Sequence, residues 1–158
     1  MRRYAVPGLA MLLLLAALHT FTLASGIPAE LKVETLAVTS ARGDVHEFRV
    51  HIADTPEARR RGLMFVTRMA ANEGMLFDFG KPGPVSMWMK NTPLSLDMLF
   101  IEADGRILSI AEKTTPLSTR TIPAGGNVLA VLELLGGSAE RLGIRAGDRV
   151  DHRLFRDE

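Results

Sequence analysis

Two short stretches of this sequence are apolar on both faces, and they limit the fold more than any other feature. They are 96–101 (LDMLFI) and 128–135 (VLAVLELL). Successive side chains of a strand point to opposite faces, so a strand with one solvated face would alternate apolar and polar residues. The two stretches therefore predict strands in a sheet that wraps over a core on one side and is covered by a helix or loop on the other.

Most of the remaining chain has the pattern of short strands separated by turns. The predicted strands are 31–40, 45–53, 74–79, 86–92, 96–103, 106–113, 128–135 and 148–155. Asp104-Gly105 predicts a two-residue type I′ hairpin turn. Short helices are predicted after Thr55-Pro56-Glu57 and at 137–144. The pattern favours a mainly β fold that is compact and barrel-like, with two short helices; a compact α+β domain is the alternative.

The first 25 residues have the pattern of a secretory signal peptide. A basic segment at 1–3 precedes an apolar run at 5–18, and the small residues Thr22, Ala24 and Ser25 follow. This predicts cleavage near Ala24 or Ser25, a single mature domain over 26–158, and a periplasmic or secreted protein. The apolar character continues to Leu23, so an uncleaved anchor in the inner membrane is the alternative, and it would be the only contact with a membrane.

Charge and cysteine content exclude several classes of function. Loss of Arg2 and Arg3 with the signal peptide would leave 17 of the 19 Lys and Arg residues against 18 Asp and Glu, which argues against a nucleic-acid partner. The chain has no cysteine, and therefore no disulfide, thiol nucleophile or thiolate metal site. His46 and His51 are five residues apart and would lie on opposite faces of a strand. We predict neither a metal site nor a cofactor.

Trp88 and Lys90 form the most suggestive pair in the sequence. On a strand over 86–92 they would share a face with Thr92, opposite Asn91. In the first interpretation, Trp88 fills the core and the Lys90 stem lies along it with its ammonium in water. In the second, the pair forms an aromatic wall and a cationic contact in a pocket for a carboxylate or another anion. The run 59–61 (RRR) is interpreted as a solvated helix end.

Asp97 and Glu133 are acids within otherwise apolar strands, and each needs a partner. The hairpin predicts a register in which Leu99 opposes Ile110 and Asp97 opposes Glu112. Two opposed acids are destabilising, so either the ladder ends before that pair or a cation lies between them. Structural ion pairs are one explanation of these acids, and an acid/base pair with a raised pKa is the other.

Several motifs of the sequence, in order, resemble the domain of unknown function number 192. They are Arg61-Gly62-Leu63-Met64, Gly74-Met75-Leu76-Phe77, Trp88-Met89-Lys90-Asn91-Thr92, Leu96-Asp97-Met98-Leu99-Phe100, Leu132-Glu133 with Gly136-Gly137, and Gly147-Asp148. The resemblance covers about Val45 to Val150. It implies a compact, mainly β, barrel-like domain of the kind often found in exported bacterial proteins. It implies no activity.

Two functional hypotheses follow. The first is a non-catalytic binding module for a small anionic or polar ligand or a peptide, so that the partner is a small molecule or a protein. Its ligand-binding residues would be Trp88, Lys90, Asn91, Thr92, Asp97 and Glu133, beneath a lid formed by the loop 114–127. The second is a small hydrolase in which Asp97 and Glu133 act as an acid/base pair, which requires both carboxyl groups to face one cleft.

Overall fold

The computed structural model of the protein describes residues 26–156. Seven strands in this part of the chain form one curled sheet, a half-barrel, which confirms the predicted mainly β, barrel-like fold. The elements are β1 (Val33–Thr39), β2 (Val45–Ala53), α1 (Pro56–Arg61), β3 (Glu73–Met87), β4 (Leu96–Ile101), β5 (Ile107–Ala111), β6 (Ile122–Leu135), α2 (Ser138–Leu142), β7 (Arg149–Asp151) and a 3-10 helix (Arg153–Phe155).

The strands are arranged in the order β5-β4-β6-β3-β2-β1-β7. All neighbours are antiparallel except β2 and β3, which are parallel because the chain crosses over through α1 between them. The sheet curls until its two edge strands approach each other at one end. There the N–H of Ile107 donates to the carbonyl of Asp148 (2.9 Å), and Arg106 forms a β-bridge with Arg149.

Apolar side chains pack on both faces of the central strands, as the two-sided apolar stretches predict. All six residues of β4 are buried, and β6 is buried from Val128 to Leu134. The inner face of the sheet is its concave side, where all seven strands and α2 contribute to one core. That core includes Val38, Val50, Leu76, Leu99, Ile107, Leu132, Ala139 and Val150.

The outer face of the sheet carries a second core. It is covered by two connecting segments, 62–72 and 88–95, rather than by a long helix. Side chains from these segments, Leu63, Val66, Met69 and Met89, pack against Met75, Phe77, Met98 and Phe100 of the sheet. Because loops form this cover, the outer face has room for a cavity.

Several local predictions are corrected by the structure. The strand predicted over 86–92 ends at Met87, and the chain turns at Lys90 and Asn91. The strand predicted over 74–79 continues through the Gly- and Pro-rich segment as far as Met87, because that segment pairs with the first half of β6. For the same reason the predicted lid 114–127 is not one loop, and its residues 122–127 belong to β6.

The β4–β5 hairpin confirms the predicted register but not the turn type. Leu99 opposes Ile110, and the ladder ends at the pair Met98–Ala111, before Asp97 and Glu112 could oppose each other. The turn spans three residues, because the N–H of Glu102 bonds to the carbonyl of Arg106 and a register shift follows Phe100. Gly105 alone has a positive φ there (84°), whereas a type I′ turn needs two such residues.

The predicted signal peptide, 1–25, lies outside the described residues. Within residues 26–156, no helix has both the length and the apolar character needed to cross a membrane.

Candidate functional site

A cavity of about 450 Å³ opens on the outer face of the sheet. It lies between α1, the strands β3 and β6, and the segment that follows β3. This volume is within the range typical of sites for small molecules. Its walls are formed mainly by the apolar side chains of Leu63, Met64, Phe77, Phe79, Met87 and Trp88.

The helix α1 supplies three arginines to the edge of this cavity, Arg59, Arg60 and Arg61. The helix begins where the Thr55 side chain accepts a hydrogen bond from the N–H of Ala58 (3.1 Å), with Pro56 in the first turn. It ends at Gly62, whose φ is 49°. A Cβ atom there would lie 3.1 Å from the Phe77 ring, so only glycine lets the helix end so close to the cavity wall.

The three arginines differ in how they are held. Arg59 is fixed, because its Nη1 donates to the carbonyls of Asp54 and Asp78 (2.6 Å each) and its guanidinium lies 5.7 Å from the centroid of the Phe79 ring. Arg60 and Arg61 are exposed. Within residues 26–156, neither side chain has a hydrogen-bond or ion-pair partner. The two cations are therefore available to an anion at the cavity edge.

Trp88 and Lys90 also line the cavity. The Lys90 Nζ is 5.3 Å from the centroid of the Trp88 ring, within the range of a cation–π contact. Trp88 is 47% exposed, so the interpretation that it fills the core is wrong. The turn that follows is fixed by Asn91, which has a φ of 56° and whose carbonyl accepts from the N–H of Phe65 (2.8 Å).

Glu133 is the acid of this cavity and is 4% exposed. On β6 it lies opposite Met98 of β4 and Met75 of β3, so its side chain belongs to the outer face. Among the described residues, its carboxyl group has no hydrogen-bond or ion-pair partner. Burial raises the pKa of Glu133 to about 8. The carboxyl group is therefore mainly protonated and neutral near pH 7.

Asp97 is fully buried, and backbone N–H groups bind its carboxylate. Lys113 (2.7 Å) and Gly137 (3.0 Å) donate to Oδ1, and Ala139 donates to Oδ2 (2.8 Å). Gly137, with a φ of 84°, turns the chain at the start of α2. Asp97 therefore holds the start of α2 and the end of the β4–β5 hairpin against β4, and it does not line the cavity.

Asp97 and Glu133 point to opposite faces of the sheet. Asp97 opposes Leu134, whose side chain is in the inner core, whereas Glu133 opposes the outer-face residue Met98. Residues opposite each other in an antiparallel pair share a face, and consecutive residues alternate between faces. The structure thus does not give the hydrolase hypothesis the shared cleft that it requires.

Of the six residues predicted from the sequence as ligand contacts, the structure brings four to one cavity: Trp88, Lys90, Thr92 and Glu133. Asn91 lies in an adjoining groove, with its Nδ2 3.9 Å from the Met64 sulfur. Asp97 is elsewhere. Thr121 is the cavity's contribution from the predicted lid, whose residues 114–121 are bound to the segment 89–96 through backbone hydrogen bonds such as Met89 N–H to Ser118 O (2.9 Å).

Sequence reasoning missed the arginines of α1 and the apolar walls at Phe77 and Phe79. The arginine run was interpreted as a solvated helix end, although Arg61 opens one of the motifs on which the family resemblance rests. The arginines of α1 and the two phenylalanine rings meet because the crossover places α1 on the outer face beside β3.

The other buried acids of the described chain have partners. Glu73 accepts from His51 Nε2 (2.9 Å) and Arg49 Nη2 (2.8 Å), and Asp148 accepts from the N–H groups of Ala41 (2.9 Å) and Arg145 (2.8 Å). No group of three or more His, Asp or Glu side chains within residues 26–156 is arranged to hold a metal ion.

Comparisons with known proteins give a family and a fold. A family model, DUF192, described as "Uncharacterized ACR", matches residues 37–152. A crystal structure of a putative transcription regulator from Sinorhizobium meliloti 1021 is 45% identical, covers 77% of this chain and 94% of its own, and has a TM-score of 0.76. A protein of unknown function from Novosphingobium aromaticivorans is 40% identical, with coverages of 78% and 88% and a TM-score of 0.76. No curated protein matches the chain.

Proposed function

Because the chain belongs to the DUF192 family, whose description assigns no activity, we propose a function from the cavity itself: the domain binds a small organic anion without transforming it. The anionic group of the ligand lies at the edge of the cavity, between Arg60, Arg61 and Lys90. The apolar body of the ligand extends inward along the Phe77 and Phe79 rings.

The observation that carries this proposal is the combination of unpaired cations with an apolar interior. Arg60, Arg61 and Lys90 are exposed and line one cavity, and none of them forms an ion pair with another described residue. Cations that lack an acidic partner in the protein are free to pair with a ligand anion. The apolar walls add affinity for any ligand that is apolar beyond its charged group.

Binding without catalysis is proposed because the cavity offers no pair of reactive groups. Among the described residues that line it, Glu133 is the only carboxyl group, and there is no histidine. The hydroxyl groups of Ser86, Thr92 and Thr121 lack a basic partner that could activate them. The hydrolase hypothesis is not proposed, because its second acid, Asp97, lies on the other face of the sheet.

Regulation of transcription, suggested by the description of the Sinorhizobium protein, is not proposed for this chain. Binding to nucleic acid would favour a row of exposed cations along a surface. Here the four cations line a mainly apolar cavity, which suits a ligand with one charged end.

We also propose that the domain acts after export, in the periplasm or outside the cell. The support is the pattern of residues 1–25, a basic start followed by an apolar run and small residues. Mass spectrometry of the natively expressed protein tests this, because an N-terminus near Ser25 or Gly26 is expected, and an intact N-terminus would favour the anchor.

The fluorescent anion 8-anilinonaphthalene-1-sulfonate tests the binding proposal. It should bind the folded protein, and octanoate should displace it. Substituting Arg60→Gln and Arg61→Gln together should weaken binding about tenfold at low salt, since each exposed charge contributes up to about 1 kcal/mol, and the difference should shrink at high salt.

A matched control is Arg42→Gln with Arg145→Gln. These exposed arginines line a separate groove beside α2, and their removal changes the net charge equally. Equal weakening by the two double variants would mean that only overall charge matters, and the cavity would lose its assignment.

A further inference from the structure

We infer that the inner end of the ligand carries an uncharged hydrogen-bond acceptor, such as a carbonyl oxygen, and that the Glu133 carboxyl group donates a hydrogen bond to it. The inference rests on the proposed function, because it assumes that an organic anion occupies the cavity. It narrows the ligand class to an amphipathic anion with a polar, uncharged group remote from its charge.

The position of Glu133 is the first support. Its carboxyl group is buried on the outer face, lines the cavity, and has no polar partner among residues 26–156. The other three buried acids of that range, Glu73, Asp97 and Asp148, all accept hydrogen bonds from the protein. Buried polar groups in folded proteins are almost always satisfied, so the exception points to a partner that the chain does not supply.

The surroundings of Glu133 decide the kind of partner. The residues opposite it on β3 and β4 are Met75 and Met98, which carry no charge. The other charged groups of the cavity, Arg59, Arg60, Arg61 and Lys90, are all cationic. Burial with no cation in contact raises the pKa of Glu133 to about 8, so near pH 7 the group has an O–H to donate.

An inner ammonium group fits this cavity less well than a carbonyl. A ligand cation would enter a space whose other charges are four cations, and it would lose its hydration among apolar walls. A carbonyl oxygen needs only one donor, which the neutral carboxyl group supplies.

Three matched probes test the inference by isothermal titration calorimetry: octanoate, 7-oxooctanoate and 7-aminoheptanoate. They share the carboxylate and the chain length, and they differ at the inner end, which is apolar, a ketone or an ammonium. The quantity to compare is the ratio of the Kd for octanoate to the Kd for 7-oxooctanoate. We expect this ratio to fall about tenfold in Glu133→Leu, as for loss of one hydrogen bond.

Glu133→Gln is the matched variant, because its amide keeps a donor at the same place and cannot ionise. It should retain the preference for the ketone at all pH values. In the wild-type protein the preference should decline between about pH 7 and about pH 9, as Glu133 loses the proton that it donates. Since Glu133→Gln keeps the size and polarity of the side chain, the comparison holds even if the leucine variant does not fold.

Each outcome bears on a different claim. A ratio that is unchanged in Glu133→Leu, or a preference that does not vary with pH in the wild-type protein, overturns the inference and leaves anion binding intact. If 7-aminoheptanoate binds most tightly of the three, the inner group is a cation and the inference is wrong. If none of the three binds, the proposed function falls and takes the inference with it.

Discussion

The two faces of the sheet treat a buried carboxyl group in opposite ways. Asp97 on the inner face accepts three backbone hydrogen bonds, whereas Glu133 on the outer face has no partner among the described residues. The two acids lie on neighbouring strands, only one register position apart. Their chemistry is the same, so the difference comes from what each face provides.

The two faces of the sheet also differ in what covers them. All seven strands and α2 close the inner core, and Asp97 fixes the turn that leads into α2. The outer face is covered by connecting segments, which leave a cavity beside Glu133. A buried acid in an apolar strand therefore marks a structural role when backbone N–H groups bind it, and a candidate site when no described residue does.

The largest expected effect is on the inner face. Asp97→Ala should lower the free energy of unfolding by about 3–5 kcal/mol, because three backbone N–H groups, one of them buried and two partly buried, would lose a charged acceptor. Urea unfolding monitored by circular dichroism measures this. Glu112→Ala is the control, since Glu112 is an exposed acid beside Lys113 and should change stability by no more than about 0.5 kcal/mol.

A loss of less than about 1 kcal/mol in Asp97→Ala would contradict the structural role of the carboxylate. The affinity for 8-anilinonaphthalene-1-sulfonate in the folded fraction provides a second readout. It should remain unchanged, because Asp97 does not line the cavity.

The second effect concerns Glu133 and depends on pH. Its pKa is about 8 in the folded protein, against 4.5 for the group in its ordinary state. Between these values the folded protein holds a proton that the unfolded chain releases, so the stabilising contribution is present below pH 4.5 and is lost as the pH rises through 8. Relative to wild type, Glu133→Gln should therefore gain about 2–4 kcal/mol in unfolding free energy across this window.

Urea unfolding at several pH values between about 4.5 and 8.5 checks this difference. A stability difference that is independent of pH would mean that Glu133 is solvated or paired, and the contrast between the two faces would disappear. Saturating 7-oxooctanoate should reduce the alkaline loss of stability in the wild-type protein, since a ligand that binds the protonated state favours it.

Asp97 and Glu133 illustrate which features of the fold and the site can be predicted from the sequence. The two-sided apolar pattern of β4 and β6 correctly predicts a covered, wrapped sheet, because burial on both faces leaves a direct mark on composition. The sequence also indicates that Asp97 and Glu133 need partners. It does not reveal which acid finds one, since the N–H groups of Gly137 and Ala139 come from residues 40 and 42 positions away in the chain.

The candidate site was predictable only in part, for a related reason. Trp88 and Lys90 are close in sequence, so local spacing places them together even though the predicted strand ends before them. The arginines of α1 reach the same cavity through a crossover between parallel strands. Such a connection sets long-range proximity that no local pattern encodes.

The smallest expected effect separates the two roles that the sequence leaves open for Lys90. Among residues 26–156 its ammonium contacts only the exposed Trp88 ring, so Lys90→Met, which keeps similar bulk, should change the unfolding free energy by no more than about 0.5 kcal/mol. The affinity for 8-anilinonaphthalene-1-sulfonate should fall about threefold, because one of the cations at the cavity edge is lost. Lys81→Met, at an exposed position on the same strand that leads to the cavity, is the control and should leave the affinity unchanged. If Lys90→Met instead destabilises the protein while binding stays equally tight, Lys90 is a structural residue, and the outer face holds its anion through the arginines of α1 alone.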